Sequence, residues 1–285
     1  MILIVDSGAT KSDWIALDEN GKHLFLTQTL GLSPEVLTRP VIEDRLANNF
    51  ELSKNKDKVS KLYFYGAGCG TERMQNLLKE IFTSFFPNAQ AEVKEDTYAA
   101  IYATTNLGDQ SIVCILGTGS NCSYFDGEKL HQKVASLGYI PMDDGSGNFF
   151  GRKLIRDYYF NKMPKDLAEK FAREYNLEAD VIKENLYKQP NPNTYLATFA
   201  RFIVENKEHH YCKGVIEKGF QQFINNYIMQ FDLATKVPIS FVGSIAFYLQ
   251  DELRKALHRN DLVVGKILQK PIEGLVKFHQ ASIQN

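Results

Sequence analysis

One pattern occurs twice in this chain of 285 residues. It consists of a short apolar run, a loop of small residues, a second strand-like run and a tight turn. The first copy begins MILIVDSGATKSDWIAL, and the second begins SIVCILGTGSNCSYF. Continuous apolar runs of about four to eight residues are typical of strands that are buried on both faces. The sequence therefore predicts an α/β fold in which two halves start with the same strand, loop and hairpin.

Turn residues and helical spacing divide the chain further. Asn20-Gly21 and Asp126-Gly127 each separate two strand patterns, which is a strong hairpin signal. Apolar residues recur at helical spacing from about 147 to 233, and VPISFVGSIAFYLQDELRKALH then reads as strand, turn and helix. The stretch TTNLGDQ carries turn chemistry. We therefore expect an N-terminal domain at 1–107 and a C-terminal domain with a helical insertion at 108–285, whose last helix could pack back on the first domain.

Composition excludes several classes of protein. Hydrophobic residues make up 44% and charged residues 24% of the chain, as in ordinary globular proteins, and the formal net charge of −1 argues against a nucleic-acid partner. No apolar run approaches the roughly 18 to 20 residues that span a bilayer, and the N-terminus lacks signal-peptide features. We expect a cytoplasmic protein without a membrane partner. The four cysteines are widely spaced and form no CxxC pair, so neither a disulfide framework nor structural zinc is predicted.

The loop LGTGSN at 116–121 has the chemistry of an anion site. Its glycines let the backbone approach a ligand closely, and successive N–H groups with the Thr118 and Ser120 hydroxyls can converge on a phosphate. A plain β-turn between antiparallel strands is an equally good interpretation of this loop when it is taken alone.

The loop DSGATK at 6–11 places a carboxylate at the end of an apolar strand. Magnesium keeps several waters and uses one or two carboxylates with phosphate oxygens, so Asp6 is a candidate ligand through water. Thr10 and nearby amides could hold a β- or γ-phosphate. Lys11 could neutralise its charge or pair with a surface acid. The spacing differs from that of a P-loop, and a strand follows instead of a helix.

Two more loops carry polar or small residues next to predicted helices. Asp143 and Asp144 are adjacent and precede Gly-Ser-Gly, and such a pair of like charges suggests a metal or a helix N-terminus. Asp144 or Ser146 could cap the next helix, and capping by one acid, which is favoured, leaves the other acid free. Gly243 and Ser244 join an apolar strand to a helix, a turn that can admit adenosine against the backbone and that is also common in βα units.

These loops, in this order and in a duplicated chain, resemble the actin-like ATPase superfamily of sugar kinases, actin and Hsp70. The likeness is strongest to the N-acetylglucosamine kinase and BadF/BadG/BcrA/BcrD ATPase family. LGTGSNC and DDGSG look like its GTGSN and GDEGS motifs, and FVGSI looks like its adenosine motif. The resemblance spans nearly the whole chain. It implies two ribonuclease-H-like domains around a nucleotide cleft, with ATP and Mg²⁺ as cofactors and a small sugar as acceptor; a homodimer is possible.

The resemblance also implies residue roles. Asp6, through water, and Asp143 would hold magnesium, and Asp96, which joins a strand to a helix in EVKEDTYAAIYA, would accept the proton of the sugar hydroxyl. The alternative for Asp96 is a helix cap. The remaining implied nucleotide contacts are Gly8, Thr10, Lys11, Gly117, Thr118, Gly119, Gly243 and Ser244, and the implied acceptor contacts are Ser33, Glu35, Ser120, Asn121 and Asp143.

The chain departs from the family at several positions, among them the expected sugar-contact loop GLSPEVL, which offers Ser33 and Glu35 in place of an asparagine. Sugar kinases of the family carry Gly-Gly-Trp-Gly before the GDEGS motif, whereas this chain has Ala-Ser-Leu-Gly-Tyr at 135–139, and Met142 and Asp144 also differ from the motif. ATP binding is therefore better supported than N-acetylglucosamine as the acceptor. Two alternatives to a kinase of amino sugars or related hexoses stay open. One is an ATPase activator of an acyl-CoA dehydratase, and the other is a non-catalytic sugar or nucleotide sensor.

Overall fold

The structure is a computed structural model that describes residues 1–8, 11–106 and 108–284. Its strands are β1 Ile2–Ser7, β2 Lys11–Leu17, β3 His23–Leu30, β4 Lys61–Gly66, β5 Gln90–Glu95, β6 Ser111–Leu116, β7 Ser120–Phe125, β8 Leu130–His131, β9 Ile239–Val242 and β10 Val264–Leu268. Its α-helices are α1 Arg39–Ala47, α2 Phe50–Asn55, α3 Glu72–Phe85, α4 Asp96–Thr104, α5 Gly147–Tyr159, α6 Lys165–Glu174, α7 Ala179–Tyr187, α8 Pro192–Thr198, α9 Ala200–Glu205, α10 His210–Asn226, α11 Ser244–Tyr248, α12 Gln250–His258 and α13 Ile272–Gln284.

The chain folds into two compact units. Unit 1 comprises Met1–Thr105 and Pro271–Asn285, and unit 2 comprises Asn106–Lys270. The predicted second domain at 108–285 differs from unit 2 at its C-terminal end. Apolar side chains of α13, among them Leu275 and Val276, pack against the β1 and β2 residues Ile4 and Ile15. Burial of these side chains explains why the last helix belongs to unit 1.

Both units contain the same sheet topology. The strand order is β3-β2-β1-β4-β5 in unit 1 and β8-β7-β6-β9-β10 in unit 2. In each sheet the first strand pairs antiparallel with the hairpin strand on one side and parallel with a later strand on the other. The repeated pattern in the sequence therefore corresponds to a repeated mixed sheet, which confirms the predicted fold class.

The central strand of unit 1 is covered on both faces, which explains its uninterrupted apolar run. Leu3 and Val5 face a core with Trp14 and helices α1 to α3, whereas Ile2 and Ile4 face α4 and α13. In unit 2 the corresponding strand β6 packs on a core rich in phenylalanine from α5, α9 and α10. Within the described residues, no helix is long and apolar enough to cross a membrane.

Helix α5 approaches α8 closely at Gly151. A Cβ at this position would overlap the Leu196 carbonyl oxygen. We expect Gly151→Ala to lower the free energy of unfolding by about 2–4 kcal/mol, because the two helices must separate. Gly214 in α10 is the matched control, since a Cβ there meets no atom within 4 Å. Gly214→Ala should raise stability by about 0.5–1 kcal/mol. Chemical denaturation of both variants measures the difference, and equal stability of the two would contradict the packing described.

Candidate active site

The carboxyl ends of the parallel strands in unit 1 bring polar groups to one edge of its sheet. Ser7, Gly66 and Glu95 lie in one row across β1, β4 and β5, one residue beyond the row that contains Asp6. Asp96 follows directly as the first residue of α4. Ligands of open α/β sheets bind outside the carboxyl ends of the strands, so this edge is where a site is expected.

Asp96 is partly buried and has an unusual proton affinity. Burial raises the pKa of Asp96 to about 7, and the charge of the adjacent Glu95 contributes to this rise. Hydrogen bonds from the backbone N–H groups of Thr97 and of Asp96 itself oppose the rise. Burial also raises the pKa of Glu95. A carboxyl group with a pKa near neutrality exchanges protons readily at physiological pH, which suits a general base.

The predicted acceptor residues of unit 1 lie around the loop that follows β4. A Cβ on Gly68, whose φ is +80°, would overlap the Ser33 hydroxyl and lie 3.2 Å from Cγ of Glu35. Burial and then the charges of Asp96, Glu95 and Glu35 raise the pKa of Cys69 to about 12. Ser33, Glu35 and Asp96 are therefore brought together at one loop.

Sequence reasoning missed three contributors to this edge. Glu95 lies beside the loop, since a Cβ on Gly70 would be 3.7 Å from its Oε1 atom. The loop itself, GAGCG at 66–70, comes close to Ser33 and Glu35. Thr97 is buried, and its Oγ1 makes no hydrogen bond among the described residues. The three alternating glycines of GAGCG, which follow an apolar strand, are the signal that could have located this loop.

The first loop of unit 1 is closed by its own backbone and by side chains. The Gly8 N–H donates to the Lys11 carbonyl oxygen at 2.9 Å. The Lys11 ammonium lies 3.0 Å from Oδ1 of Asp13, so this lysine pairs with an acid, although Asp13 is buried and not at the surface. Ser7 Oγ accepts from the Leu32 N–H at 3.2 Å, which fixes the chain entering the Ser33 loop. Thr10, a predicted phosphate contact, lies outside the described residues.

The GTG loop of unit 2, Gly117–Gly119, is held by the first turn of α5. Gly147 N–H donates to Gly117 O at 2.8 Å, and Asn148 N–H donates to Thr118 O at 3.0 Å. The Asn148 side-chain amide donates to the same Thr118 oxygen at 2.8 Å. Because its carbonyl groups are bound in this way, the loop has a fixed backbone, as a phosphate cradle requires.

Asp143 connects this loop to the segment before α5. Its Oδ1 accepts from the Ser120 N–H at 3.1 Å, and its Oδ2 accepts from the Asn148 amide at 2.8 Å. The residue is buried, has a φ of +68°, and donates its own N–H to the Tyr227 hydroxyl at 3.1 Å. A Cβ on Gly119 would lie 2.8 Å from Asp143 Oδ2, so this close approach requires glycine.

The neighbouring polar residues have separate partners. Asp144 accepts from the Asn226 amide at 2.7 Å, while Ser146 caps α5 by accepting from the Phe149 N–H at 3.3 Å. Asn121 accepts from the N–H of the next residue, Cys122, at 2.7 Å. The adjacent acids therefore have different roles, and the helix cap is the serine.

The turn after β9 lies beside the GTG loop. Gly243 has a φ of +131°, and a Cβ there would overlap the Leu116 carbonyl oxygen. Its N–H donates to Leu268 O at 2.9 Å, and Ser244 begins α11. This close approach places the predicted adenosine turn and the predicted phosphate loop of unit 2 at one edge of the sheet.

The oxygen ligands present are those that magnesium prefers. Each oxygen of Asp143 accepts one hydrogen bond from the described residues and has room for a second donor or a metal ion. The buried Asn148 Oδ1 makes no hydrogen bond among the described residues. The described part of the chain contains no group of three or more His, Cys, Asp or Glu that could form a metal cage. Magnesium bound mainly by water and phosphate needs no such cage, so the residues fit this ion.

The comparison with solved structures establishes the family. No protein-family model matches the chain. A structure from Porphyromonas gingivalis, provisionally named an N-acetylglucosamine kinase, is 35% identical, with a TM-score of 0.92 over 99% of each chain. The chain belongs to the N-acetylglucosamine kinase family, in the actin-like ATPase superfamily of sugar kinases. The resemblance to N-acetylglucosamine kinases of the actin-like ATPase superfamily, inferred from the sequence motifs, is thereby confirmed.

More distant structures share the fold of this family member. A provisionally named N-acetylglucosamine kinase from Chromobacterium violaceum is 14% identical, with a TM-score of 0.70 over 97% of this chain and 98% of that one. A ROK family glucokinase from Streptomyces griseus, in complex with glucose and AMPPNP, is 18% identical, with a TM-score of 0.62 over 99% and 100% of the two chains. The family relationship supports a sugar kinase.

Proposed function

We propose that the chain is an ATP-dependent kinase that phosphorylates a hydroxyl group of an amino sugar, N-acetylglucosamine or a related hexose. The observation that carries the proposal is Asp96, a carboxyl group with a pKa near 7 at the carboxyl edge of the unit 1 sheet. Ser33 and Glu35, which surround the same loop, are proposed to bind the acceptor. Ser120 and Asn121 of unit 2 are proposed as further acceptor contacts.

The nucleotide is assigned mainly to unit 2. The GTG loop would bind its phosphates, Gly243 and Ser244 would flank adenosine, and Gly8, Thr10 and Lys11 are proposed to bind the γ-phosphate. Asp6, through water, and Asp143 would hold magnesium, which neutralises charge on the phosphates when it is bound. Lys11 is partly exposed, so its ammonium group can exchange its ion pair with Asp13 for contact with the γ-phosphate.

The proposed reaction is an in-line displacement. Asp96 accepts the proton of the sugar hydroxyl while its oxygen forms a bond to the γ-phosphorus. The bond from that phosphorus to the bridging β,γ-oxygen breaks, and ADP leaves with the electron pair. Fixed loop donors supply most of the rate acceleration through positioning and charge stabilisation.

The cysteines favour this proposal over a dehydratase activator. All four are buried free thiols. Cys114 and Cys122 pair across β6 and β7 with sulfurs 3.4 Å apart, inside the core of unit 2. Thiols in these positions cannot reach a surface to ligate an iron–sulfur cluster.

A coupled assay of ADP release tests the function. N-acetylated and plain hexoses are added one at a time to protein, ATP and Mg²⁺. We expect the rate of ADP release to depend on the acceptor and to be highest with an amino sugar. ADP release that does not depend on the acceptor, or no ADP release with any hexose, would exclude sugar kinase activity.

The proton affinity of Asp96 predicts the pH dependence of the reaction. The base works in its ionised form, so kcat/KM should rise about tenfold per pH unit below the pKa of about 7 and reach a plateau above it. A pH–rate profile with subsaturating sugar measures this. A profile that is flat from about pH 5 to pH 8 would contradict a base with the raised pKa.

A further inference from the structure

A second binding site is suggested by a groove in unit 2, between α5 and α10. Its volume is about 530 Å³, within the range of about 300–1,000 Å³ typical of small-molecule pockets. Phe149 of α5 and Val215 of α10 provide apolar walls, while Gln222 and Asn225 provide amide groups. A groove that combines these apolar side chains with several polar groups suits a ligand with an apolar or aromatic body and a polar head.

The charge of the groove is entirely positive. Arg152, Lys153, Arg156 and Lys218 line it, and none of its lining residues is acidic. Lys153 pairs with the buried Asp157 at 2.7 Å. Among the described residues, the other three cations form no ion pair within 4 Å. Like charges gathered in one groove repel each other, and an anion between them would relieve that repulsion.

Arg152 is held in an orientation that suits anion binding. Its Nη1 donates to the carbonyl oxygens of Tyr139 and Ile140 at 2.8 and 3.0 Å. In the described part of the chain, its other N–H groups donate to no acceptor. Arginine binds phosphate through two parallel N–H groups, and a guanidinium fixed beforehand loses little entropy when it does so.

We propose that this groove binds a small phosphorylated molecule carrying at least two negative charges and an apolar or aromatic portion. Three cations that have no ion-pair partner among the described residues favour a di- or multiply charged phosphate over a single carboxylate. Phe149 offers a face for the apolar portion. The site consists of residues that the proposed kinase reaction does not use, so it stands independently of that proposal.

The groove is joined to the GTG loop through α5. Phe149 follows Asn148, whose N–H and side chain bind the Thr118 carbonyl. Arg152 also binds the backbone just before Asp143. An anion in the groove would therefore stabilise the segment that holds the GTG loop.

Calorimetric titration with inorganic pyrophosphate tests the site. The variant Arg156→Gln/Lys218→Gln removes two groove cations, and Arg173→Gln/Lys213→Gln removes two exposed cations of α6 and α10 outside it. Both changes alter net charge equally. We expect the groove variant to bind pyrophosphate at least tenfold more weakly than the wild type, and the control to bind it within about twofold.

Each outcome decides the proposal. Gln222→Glu, which introduces a carboxylate into the groove, should reproduce the loss of binding, whereas Thr118→Ala in the GTG loop should leave groove binding intact. Wild-type protein that does not bind pyrophosphate, equal losses in the two double variants, or a loss caused only by Thr118→Ala would overturn the site. If the protein binds pyrophosphate in the groove but phosphorylates no sugar, the proposed kinase function is contradicted and the groove proposal is not.

Discussion

Asp96→Asn is expected to lower the rate of sugar phosphorylation by about 10²–10⁴-fold while nucleotide affinity stays within about twofold of the wild type. The amide keeps the shape of the side chain but cannot accept the hydroxyl proton. Nucleotide contacts are assigned to other residues, so ADP binding should be unaffected. Steady-state kinetics and calorimetric titration with ADP measure the two effects separately.

The stability of this variant provides an internal check. The pKa of Asp96 is raised by burial, so the folded state binds its proton more tightly than the unfolded state and loses stability as pH rises from about 4 to about 7. Removing the charge should therefore leave the variant at least as stable as the wild type at about pH 8. Low activity would then not result from unfolding.

A nearby carboxylate offers the matched control for Asp96. Glu92 lies on β5, the strand that leads into Asp96, is exposed, and pairs with Lys94 at 2.7 Å. Glu92→Gln should retain activity within about twofold, since an exposed ion pair contributes little. Full activity of Asp96→Asn, or equal losses in both variants, would reject Asp96 as the base.

Asp143→Asn is expected to weaken ADP binding by about 10- to 100-fold. Each carboxylate oxygen of Asp143 accepts from a donor, the Ser120 N–H or the Asn148 amide. An asparagine must turn its own NH₂ group towards one of these donors, so one hydrogen bond is lost and the GTG loop loosens. Asparagine tolerates the φ of +68° at this position, which limits damage to the backbone.

Asp144→Asn is the control for this change. Asp144 is adjacent, equal in charge and bonded to the Asn226 amide, and within the described part of the chain it makes no hydrogen bond to the GTG loop. ADP affinity should change by less than about twofold in this variant. Titrations in the presence of a chelator separate the hydrogen-bonding role of Asp143 from its proposed role as a magnesium ligand. Equal affinities of the two variants would contradict the loop-holding role.

The sequence predicts the parts of the fold that depend on local pattern. The apolar runs of β1 and β6, the hairpin turns and the small-residue loops are all local signals, and duplicated signals produce duplicated sheets. The position of α13 in unit 1 depends on contacts between residues 214 and 259 positions apart, namely the pairing of Tyr65 with His279 and of Gly21 with Gln280. Local periodicity does not encode such contacts.

The same distinction applies to the candidate site. Asp96 could be found because the family resemblance implies a catalytic carboxylate where a strand ends and a helix begins, and the sequence predicts that junction at this residue. The raised pKa could not be predicted, because it depends on burial by the folded chain and on the neighbouring Glu95. Likewise, DDGSG marks an acidic loop, but only the structure distinguishes Asp143, which binds the GTG loop, from Asp144, which binds Asn226.

The most direct test of the account is phosphorus NMR of the protein with ATP, Mg²⁺ and N-acetylglucosamine or a related hexose. The proposal predicts that the γ-phosphate resonance of ATP disappears as ADP and a sugar phosphate monoester appear in equal amounts. The Asp96→Asn variant should form neither at a comparable rate. Conversion of ATP to ADP and inorganic phosphate alone, or unchanged ATP with every sugar, would contradict the assignment as a sugar kinase.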